Sequence, residues 1–290
     1  PLVSSSAASD VYKRQGFEDK ELLESNVVKL DKNNKIRDFF YNRLIFPITN
    51  EYGKIVGFGG RVLDNSNPKY INSPESDFFK KRNILYNLFN AKQTIRSKKN
   101  MLICEGYMDV ISLYDKNIKT AVAPLGTSLT DSHLLLSWKY VNKPTLMFDG
   151  DTSGLKASFK SAIMSLPYLT PSKLLQFIIL PNEYDPDTFI NEYSLSKFAT
   201  YLKNPLSIVD FIFQESSKSI DLQKSDNKVI FDNYIDELVS NIKDSKIKYF
   251  YKNEFKSLFF QKLKSFSSKK QSIKIIPKTI SLKEKQIYSF

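Results

Sequence analysis

The chain has 290 residues, of which 41% are hydrophobic, so it can build one large domain or two modest ones, and wholesale disorder is excluded. Its 43 Lys and Arg against 31 Asp and Glu give a formal net charge of +12, which indicates a polyanionic partner, either nucleic acid or an anionic membrane surface. No apolar run approaches the ~20 residues that span a bilayer, which disfavours a membrane role, and one Cys with one His excludes a disulfide framework or a Cys/His zinc site.

The N-terminal third of the sequence predicts a polar leader followed by short strands. Residues 1–15 (PLVSSSAASDVYKRQ) are small and polar, and we expect a disordered or foreign leader. A short helix is predicted over Phe17–Asn26, and a hairpin over Val27–Asp38 with Asp and Asn in its turn. Further strands complete a small mixed α+β subdomain over residues 16–98; they are predicted at Arg43–Thr49, Ile55–Val62 and Lys69–Ile71.

Residues 99–204 repeat one pattern, a short apolar run with carboxylates just past its end. The runs read MLICEGYMD, PTLMFDGD and QFIILPNEYDPD, and Thr120–Pro124 is a further strand. Predicted helices precede and separate these strands, at Ile84–Ser97, Asp109–Lys116, Asp131–Tyr140 and Gly154–Leu166. This alternation predicts a parallel sheet with right-handed crossovers, whose ligands bind beyond the carboxyl ends of its strands. Cys104 lies within the first run and is predicted to be a core residue.

Six carboxylates are expected at that edge of the sheet: Glu105, Asp109, Asp149, Asp151, Asp185 and Asp187. Crowded carboxylates raise one another's pKa unless cations lie among them, and Mg²⁺ uses one or two carboxylates with waters and phosphate oxygens. The two Asp-x-Asp motifs fit tight turns that direct both carboxylates at one ion. A single such motif is more often a turn or a helix cap, but three acidic groups that each close an apolar run favour the metal site.

Basic residues ahead of the acidic runs indicate contacts with phosphates. The segment GFGGR lacks the GxGxxG spacing of a dinucleotide site, and its glycines let the backbone approach a neighbouring strand or a nucleic acid. Cations are supplied there by Arg61, Lys69, Lys81 and Arg82, with a solvated basic face as the ordinary alternative. Tyr70 can stack on a base, or it can serve as a core or turn residue.

The remaining segments predict scaffold. Thr130 is expected to cap the helix that begins at Asp131, and His133 within that helix is expected to be a buried scaffold residue. Thr127 and Ser128, in the loop before it, suit either capping or a phosphate contact. A helical subdomain is predicted over residues 205–265, with helices at Ser207–Glu215, Asn227–Val239 and Lys246–Leu263. Residues 266–290 are lysine-rich and are expected to be a basic tail or linker.

Taken together, the motifs resemble one protein family. The segments Glu105–Asp109 (EGYMD), Asp149–Asp151 (DGD) and Asp185–Asp187 (DPD) are similar to the signature of a TOPRIM domain, in the form found in bacterial DnaG-type primases. The segments RLIFPI, GFGGRV and PKYINSP resemble the upstream motifs of the same primases. The resemblance runs in order over residues 43–213. It implies an α/β fold, with a TOPRIM parallel-sheet core flanked by a small mixed α+β N-terminal subdomain and a C-terminal helical subdomain.

The resemblance also implies an activity. It is template-directed synthesis of short RNA primers from NTPs on single-stranded DNA, by divalent-metal-dependent nucleotidyl transfer. Glu105, Asp149 and Asp151 would be catalytic, with Glu105 as the general acid/base or the chief carboxylate that organises the metal. All six carboxylates would hold Mg²⁺ or Mn²⁺. The residues that would contact template or nucleotide are Arg43, Arg61, Lys69, Tyr70, Asn72 and Lys81.

Primases of this family carry an N-terminal zinc ribbon and a C-terminal helicase-docking domain, and the 290 residues show neither. We therefore expect a monomeric fragment, without zinc, of a bacterial cytoplasmic protein of the replisome, which meets the replicative helicase through a domain missing here. Two alternatives stay open. One is another TOPRIM enzyme, a nuclease or a topoisomerase, the latter requiring a nucleophilic Tyr in an additional domain. The other is a catalytically idle nucleic-acid-binding module.

Overall fold

The computed structural model describes residues 8–126 and 128–272 of the chain. The helices within these ranges are α1 (Ala8–Arg14), α2 (Asp19–Glu24), α3 (Leu88–Lys98), α4 (Tyr107–Asp115), α5 (Asp131–Ser137), α6 (Thr152–Ser165), α7 (Pro186–Glu192), α8 (Leu195–Lys203), α9 (Ile208–Ser216), α10 (Ser225–Ser240) and α11 (Ser245–Ser272). The strands are β1 (Val28–Leu30), β2 (Ile36–Asp38), β3 (Arg43–Thr49), β4 (Ile55–Val62), β5 (Tyr70–Asn72), β6 (Leu102–Ile103), β7 (Ala121–Val122), β8 (Thr145–Leu146), β9 (Gln176–Phe177) and β10 (Leu206–Ser207).

Two small antiparallel sheets form the N-terminal subdomain, as the sequence predicts. Strands β1 and β2 make the hairpin, and the Asp31 carboxylate closes its turn by accepting hydrogen bonds from the backbone N–H groups of Asn33 and Lys35. Strands β3, β4 and β5 form a three-stranded sheet with β4 in the middle. The glycine-rich segment therefore lies in the central strand, with a neighbour on each side.

The prediction of a disordered leader is wrong for residues 8–15, the part of it that the structure describes. Helix α1 carries Asp10 in its first turn and basic residues in its last, an arrangement that the helix dipole favours. Tyr12 packs edge-on against Phe17 at 6.3 Å between ring centroids, and Lys13 pairs with Asp19 at 2.6 Å. These tertiary partners stabilise a segment that composition alone would leave unfolded. Residues 1–7 lie outside the described range.

The central sheet has the strand order β10-β9-β8-β6-β7. Strands β6, β7, β8 and β9 run parallel, as predicted. The fifth strand, β10, pairs antiparallel with β9 and extends the sheet past the predicted domain boundary at residue 204. The predicted strands of this sheet are equally short but lie within apolar runs, whereas Leu206 stands alone between Pro205 and Ser207, which is why β10 escapes prediction.

The ends of two helices also differ from prediction. Helix α3 begins at Leu88 rather than Ile84, because the Tyr86 N–H donates to the Ala123 carbonyl at 2.7 Å in an isolated bridge, and Asn87 follows with a φ of 66°. Helix α11 continues to Ser272, so the first residues of the predicted basic tail are helical. The rest of that tail lies outside the described residues.

The larger core cluster joins the sheet to the C-terminal helices. Phe177 of β9 stacks on Phe211 of α9 with 4.2 Å between ring centroids, and Phe213 packs edge-on against Phe231 of α10 at 5.6 Å. A second cluster on the other side of the sheet contains Cys104, which is fully buried as predicted. None of the helices described here is long and apolar enough to cross a membrane.

Replacing Phe211 by Ala should uncouple the helical subdomain from the sheet. Phe211 is 0% exposed, and truncating a buried Phe costs about 3–5 kcal/mol of stability. Urea unfolding should show this loss, whereas Phe250→Ala, at a side chain that is 57% exposed on α11, should change stability by less than about 0.5 kcal/mol. Equal losses for the two variants would contradict this account of the core.

Candidate active site

The six predicted carboxylates lie at or beyond the C-terminal ends of strands β6, β8 and β9. Glu105 and Asp109 follow β6, Asp149 and Asp151 follow β8, and Asp185 and Asp187 follow β9 after a longer loop. They are close enough to interact electrostatically, because Glu105, Asp109, Asp185 and Asp151 each contribute to raising the pKa of Asp149. The parallel sheet therefore gathers these side chains at one edge, hereafter the acidic edge.

Asp149 is the carboxylate of the acidic edge whose negative charge the protein stabilises least. Burial, followed by the charges of its neighbours, raises its pKa from 3.8 to about 7. Its buried Oδ1 atom has no hydrogen-bond partner among residues 8–126 and 128–272. A buried carboxylate oxygen without a donor is costly, and a cation is one group that removes the cost. The next residue is necessarily glycine, because a methyl group at Gly150 would lie 2.1 Å from the Pro181 carbonyl oxygen.

Asp109 differs from Asp149 in that backbone donors hold it in place. It is 7% exposed, and it accepts hydrogen bonds from the N–H of Gly106 at 2.9 Å and from the N–H of Asp187. Burial outweighs these donors and raises its pKa to about 7. Asp187 in turn accepts from the Ser112 hydroxyl at 2.6 Å and from the Asn191 amide at 2.8 Å. Asp109 thus ties the start of α4 to the start of α7.

Asp151 and Asp185 are helix caps. Asp151 accepts from the Gly154 N–H at 2.7 Å at the start of α6, and Asp185 accepts from the N–H and hydroxyl of Thr188, each at 2.6 Å, at the start of α7. The predicted tight turns are therefore wrong: each Asp-x-Asp motif leads into a helix N-terminus, and its capping carboxylate satisfies backbone donors there.

The acidic edge fits a metal ion that is bound jointly by protein, water and substrate better than one enclosed by protein ligands alone. In the described part of the chain, no three Asp, Glu, His or Cys side chains converge into a complete set of metal ligands. Three of the carboxylates are already engaged by the protein, because Asp151 and Asp185 cap helices and Asp109 accepts hydrogen bonds from backbone N–H groups. Mg²⁺ commonly binds through one or two carboxylates and takes its other oxygens from water and phosphates. The free Oδ1 of Asp149, with Glu105 beside it, is the donor set that matches this mode.

Tyr107, from the EGYMD segment, joins the two subdomains. Its ring centroid lies 5.0 Å from that of Phe46 on β3, 5.4 Å from Tyr70 on β5 and 5.6 Å from Tyr86. Burial raises the pKa of its hydroxyl, and that hydroxyl has no hydrogen-bond partner among the described residues. Sequence reasoning gave Tyr107 no role, although it sits in the middle of the most specific motif of the chain.

Within residues 8–126 and 128–272, two more buried polar atoms have no hydrogen-bond partner, Nε of Arg61 and Oδ1 of Asn72. The Asn72 amide nitrogen donates to the Leu125 carbonyl at 3.2 Å, which fixes the orientation of the side chain. A methyl group at Gly59 would lie 3.0 Å from Asn72 Oδ1 and 3.4 Å from the Tyr107 hydroxyl. Glycine on the central strand therefore leaves a small cradle lined by unsatisfied polar groups, hereafter the β4–β5 cradle (Gly59, Arg61, Asn72 and Tyr107).

Tyr70 connects the cradle to the acidic edge. The Arg61 guanidinium lies 5.7 Å and the Lys69 ammonium 5.8 Å from its ring centroid, both within the range of a cation–π contact. Burial raises the pKa of Tyr70, and the charges of Asp109, Asp187 and Asp185 act in the same direction. Positive and negative groups thus lie close together around this aromatic ring. Four of the six residues predicted to contact nucleic acid lie at the ring or in the cradle beside it: Arg61, Lys69, Tyr70 and Asn72.

Arg43 and Lys81, the other two residues predicted to bind nucleic acid, have different surroundings. Arg43 is 8% exposed, and its guanidinium donates to the carbonyls of Gly60, Lys69 and Pro68 at 3.3, 3.4 and 2.9 Å. These bonds hold the loop before β5, and the nucleic-acid contact of Arg43 stays a prediction. Lys81 is partly exposed, with its ammonium 5.9 Å from the Phe79 ring centroid. Thr127 lies outside the described residues.

Comparisons with known proteins agree with this architecture. Residues 3–92 match the model of the DNA primase catalytic core, N-terminal domain, and residues 99–171 match the Toprim domain. The first match begins within the predicted leader, whose foreign origin stays a prediction. DNA primase from Buchnera aphidicola is 41% identical over 210 residues, which cover 72% of this chain and 36% of that protein. DNA primase from Escherichia coli K12 is 33% identical over 233 residues, 80% of this chain and 40% of that protein.

Solved structures show the same relation. A DnaG primase catalytic domain bound to single-stranded DNA matches with a TM-score of 0.79 and 32% identity, covering 86% of this chain and 81% of that one. The E. coli primase catalytic core matches with a TM-score of 0.78 and 32% identity, covering 85% and 80%. The chain spans about two fifths of the length of the curated relatives it matches. It belongs to the family of DnaG-type DNA primase catalytic cores, with a Toprim domain at its centre.

Proposed function

We propose that this chain synthesises short RNA primers from NTPs on single-stranded DNA by divalent-metal-dependent nucleotidyl transfer. The observation that carries the proposal is the buried Oδ1 of Asp149 at the acidic edge, which has no hydrogen-bond partner in the described part of the chain and lies beside the β4–β5 cradle of the adjoining subdomain. A related catalytic domain whose structure contains single-stranded DNA supports the choice of template. The net charge of +12 suits a polyanionic substrate.

Asp149 and Glu105 are the residues that would hold Mg²⁺ or Mn²⁺, supported by the other carboxylates. A bound divalent ion supplies positive charge that favours ionisation of the attacking 3′-hydroxyl and stabilises the departing pyrophosphate. The protein's own contribution is to hold these carboxylates partly desolvated and close together before substrate arrives. Asp109, Asp151 and Asp185 then fix the helix starts around them, since each is bonded to backbone N–H groups.

Glu105 is the residue we assign to proton transfer. Burial, and then the charge of Asp151, raises its pKa, while a backbone hydrogen bond from Asp149 opposes the shift. A carboxylate whose pKa is raised towards neutrality can accept a proton from a hydroxyl and release it again. Glu105 also remains exposed at the acidic edge, so it can reach a bound substrate.

The β4–β5 cradle and its surroundings are assigned to nucleotide and template. Arg61 and Lys69 provide positive charge for phosphates, and the Asn72 Oδ1 and the Tyr107 hydroxyl provide hydrogen-bonding groups for sugar or base. Tyr70 offers an aromatic edge beside them. The replicative helicase as partner, a monomeric state and a place at the cytoplasmic replisome complete the proposal; they rest on the family relation.

Glu105→Gln tests the catalytic assignment. The change keeps the size of the side chain but removes its ability to accept a proton, so ribonucleotide incorporation on single-stranded DNA should fall by about 10²–10⁴-fold. Binding to the same DNA, followed by fluorescence anisotropy, should stay within about twofold. The control is Glu254→Gln, an exposed position on α11, which should incorporate normally. Undiminished RNA synthesis by Glu105→Gln would remove Glu105 from the mechanism, and a wild-type chain that binds DNA but makes no RNA would favour the idle module.

The pH dependence of stability tests the state of the acidic edge. Asp109 and Asp149 have pKa values of about 7 in the folded protein against 3.8 for the ordinary carboxyl, so the folded state holds more protons between these values. Stability from these groups is complete below about pH 4 and is lost as pH rises through about 7. The urea midpoint should therefore be lower at pH 8 than at pH 5 without metal, and Mg²⁺ should raise it at pH 8 and have little effect at pH 5.

Asp149→Asn should flatten this pH dependence and weaken the response to Mg²⁺, because the amide cannot ionise. The control is Asp226→Asn at an exposed position on α10, which should behave as wild type. A wild-type midpoint that ignores Mg²⁺ at pH 8 would count against the metal assignment.

Lys69→Ala tests the template contact. Loss of one phosphate contact on a single strand should reduce the slope of log affinity against log salt by about 0.7. The measurement is anisotropy of labelled single-stranded DNA over a range of NaCl concentrations. Lys246→Ala, at an exposed position on α11, serves as a control for net charge. If both variants reduced the slope equally, DNA would be responding to overall charge rather than to this surface.

A further inference from the structure

His133 is a buried titratable residue for which the proposed mechanism has no use. It lies in the first turn of α5 and is 0% exposed. Both of its ring nitrogens are engaged. The backbone N–H of Thr130 donates to Nδ1 at 3.1 Å, and Nε2 lies 2.9 Å from the backbone carbonyl of Lys81, a residue 52 positions away in the chain. Its second contact is therefore more than a local helix cap.

The two contacts define which nitrogen carries the proton. A backbone N–H can only donate, so Nδ1 must accept; a carbonyl can only accept, so Nε2 must donate. Both requirements are met by the neutral ring with its proton on Nε2. Burial lowers the pKa of His133, which keeps the ring in this form at neutral pH.

Helix α5 holds the Lys81–Asn83 turn through further contacts. The Thr130 hydroxyl donates to the Arg82 carbonyl at 2.9 Å, and the Arg82 guanidinium lies 3.5 Å from the Asp131 carboxylate. From the other side, the Lys81 N–H donates to the Glu75 carboxylate at 3.1 Å. The carbonyls of Lys81 and Arg82 are thus bonded to His133 and Thr130 at the start of α5. These bonds hold the backbone of the turn, and with it the direction in which the Lys81 side chain extends.

We propose that His133 is a positioning residue for substrate binding. Its Nε2–H holds the Lys81 carbonyl, and through it sets the Lys81 ammonium to meet the phosphates of a single-stranded nucleic acid. The inference rests on the proposed function in one respect, the assignment of Lys81 to phosphate binding. It gives a role to a histidine that the sequence predicts to be scaffold. The hydrogen bond from His133 to the Lys81 carbonyl links the Toprim domain to the N-terminal subdomain.

Two conservative substitutions separate the two hydrogen bonds of the ring. In His133→Asn the short amide can still accept from the Thr130 N–H, but it does not reach the Lys81 carbonyl. In His133→Gln the longer amide carries an N–H donor that does reach it. A role in helix capping alone therefore predicts that Asn is tolerated, whereas the proposed role predicts that Gln is tolerated and Asn is not.

The experiment is a double-mutant cycle on the affinity of the 290-residue chain for labelled single-stranded DNA, with variants Lys81→Ala, His133→Asn, His133→Gln and the combination of Lys81→Ala with His133→Asn. Lys81→Ala and His133→Asn should each weaken binding by about twofold to tenfold, the worth of one hydrogen bond. The combination should be no weaker than Lys81→Ala alone, and His133→Gln should bind like wild type. Thermal unfolding of every variant separates a shift of the turn from global destabilisation.

The proposal would be overturned if His133→Gln were as weak as His133→Asn, or if the effects of His133→Asn and Lys81→Ala added in full. Wild-type binding by His133→Asn while Lys81→Ala is impaired would also overturn it. A failure of the proposed function looks different: in that case Lys81→Ala itself would bind DNA like wild type. The positioning role would then fall together with the assignment of Lys81 to phosphate, whatever the His133 variants did.

Discussion

The loss of water around crowded carboxylates, to which their mutual repulsion adds, is the constraint on which the structure of the site depends. The parallel strands deliver acidic side chains to one edge, and most of their charge is then stabilised locally. Asp151 and Asp185 cap helices, and Asp109 accepts hydrogen bonds from two backbone N–H groups. Asp149 is left with an oxygen that the described residues do not satisfy. The fold therefore concentrates its unmet negative charge at a single carboxylate, where a cation that also touches substrate gains most.

The second subdomain completes the site from the opposite side. The Tyr107 ring packs against β3 and β5, so the helix that carries Asp109 and the sheet that carries Arg61 and Asn72 are fixed relative to each other. Buried polar atoms that find no partner among the described residues lie on both sides of this contact. Arg61 lies over the Tyr70 ring, and the charges of Asp109, Asp187 and Asp185 act on the same Tyr. Such an arrangement suits a substrate that is itself an anion with bound cations, as a nucleoside triphosphate with Mg²⁺ is.

Sequence predicts the parts of this site whose signal is local. An apolar run that ends in carboxylates predicts a strand that brings these carboxylates to a sheet edge, and β6, β8 and β9 confirm this placement. The cap of α5 by Thr130 follows from the same kind of short-range rule. What sequence misses depends on distant partners. The burial of Arg43 follows from three carbonyls about 17 to 26 residues away, and the second contact of His133 comes from Lys81, 52 residues away.

The most direct test of the central claim is calorimetric titration of Mn²⁺ into the chain at pH 7, repeated in buffers of different ionisation enthalpy. If carboxyls with pKa values of about 7 are the ligands, binding must displace protons, and the observed heat will change with the buffer in proportion to the protons released. The account predicts a clear proton release that Asp149→Asn reduces. Binding without any proton release, or no binding at all, would contradict it.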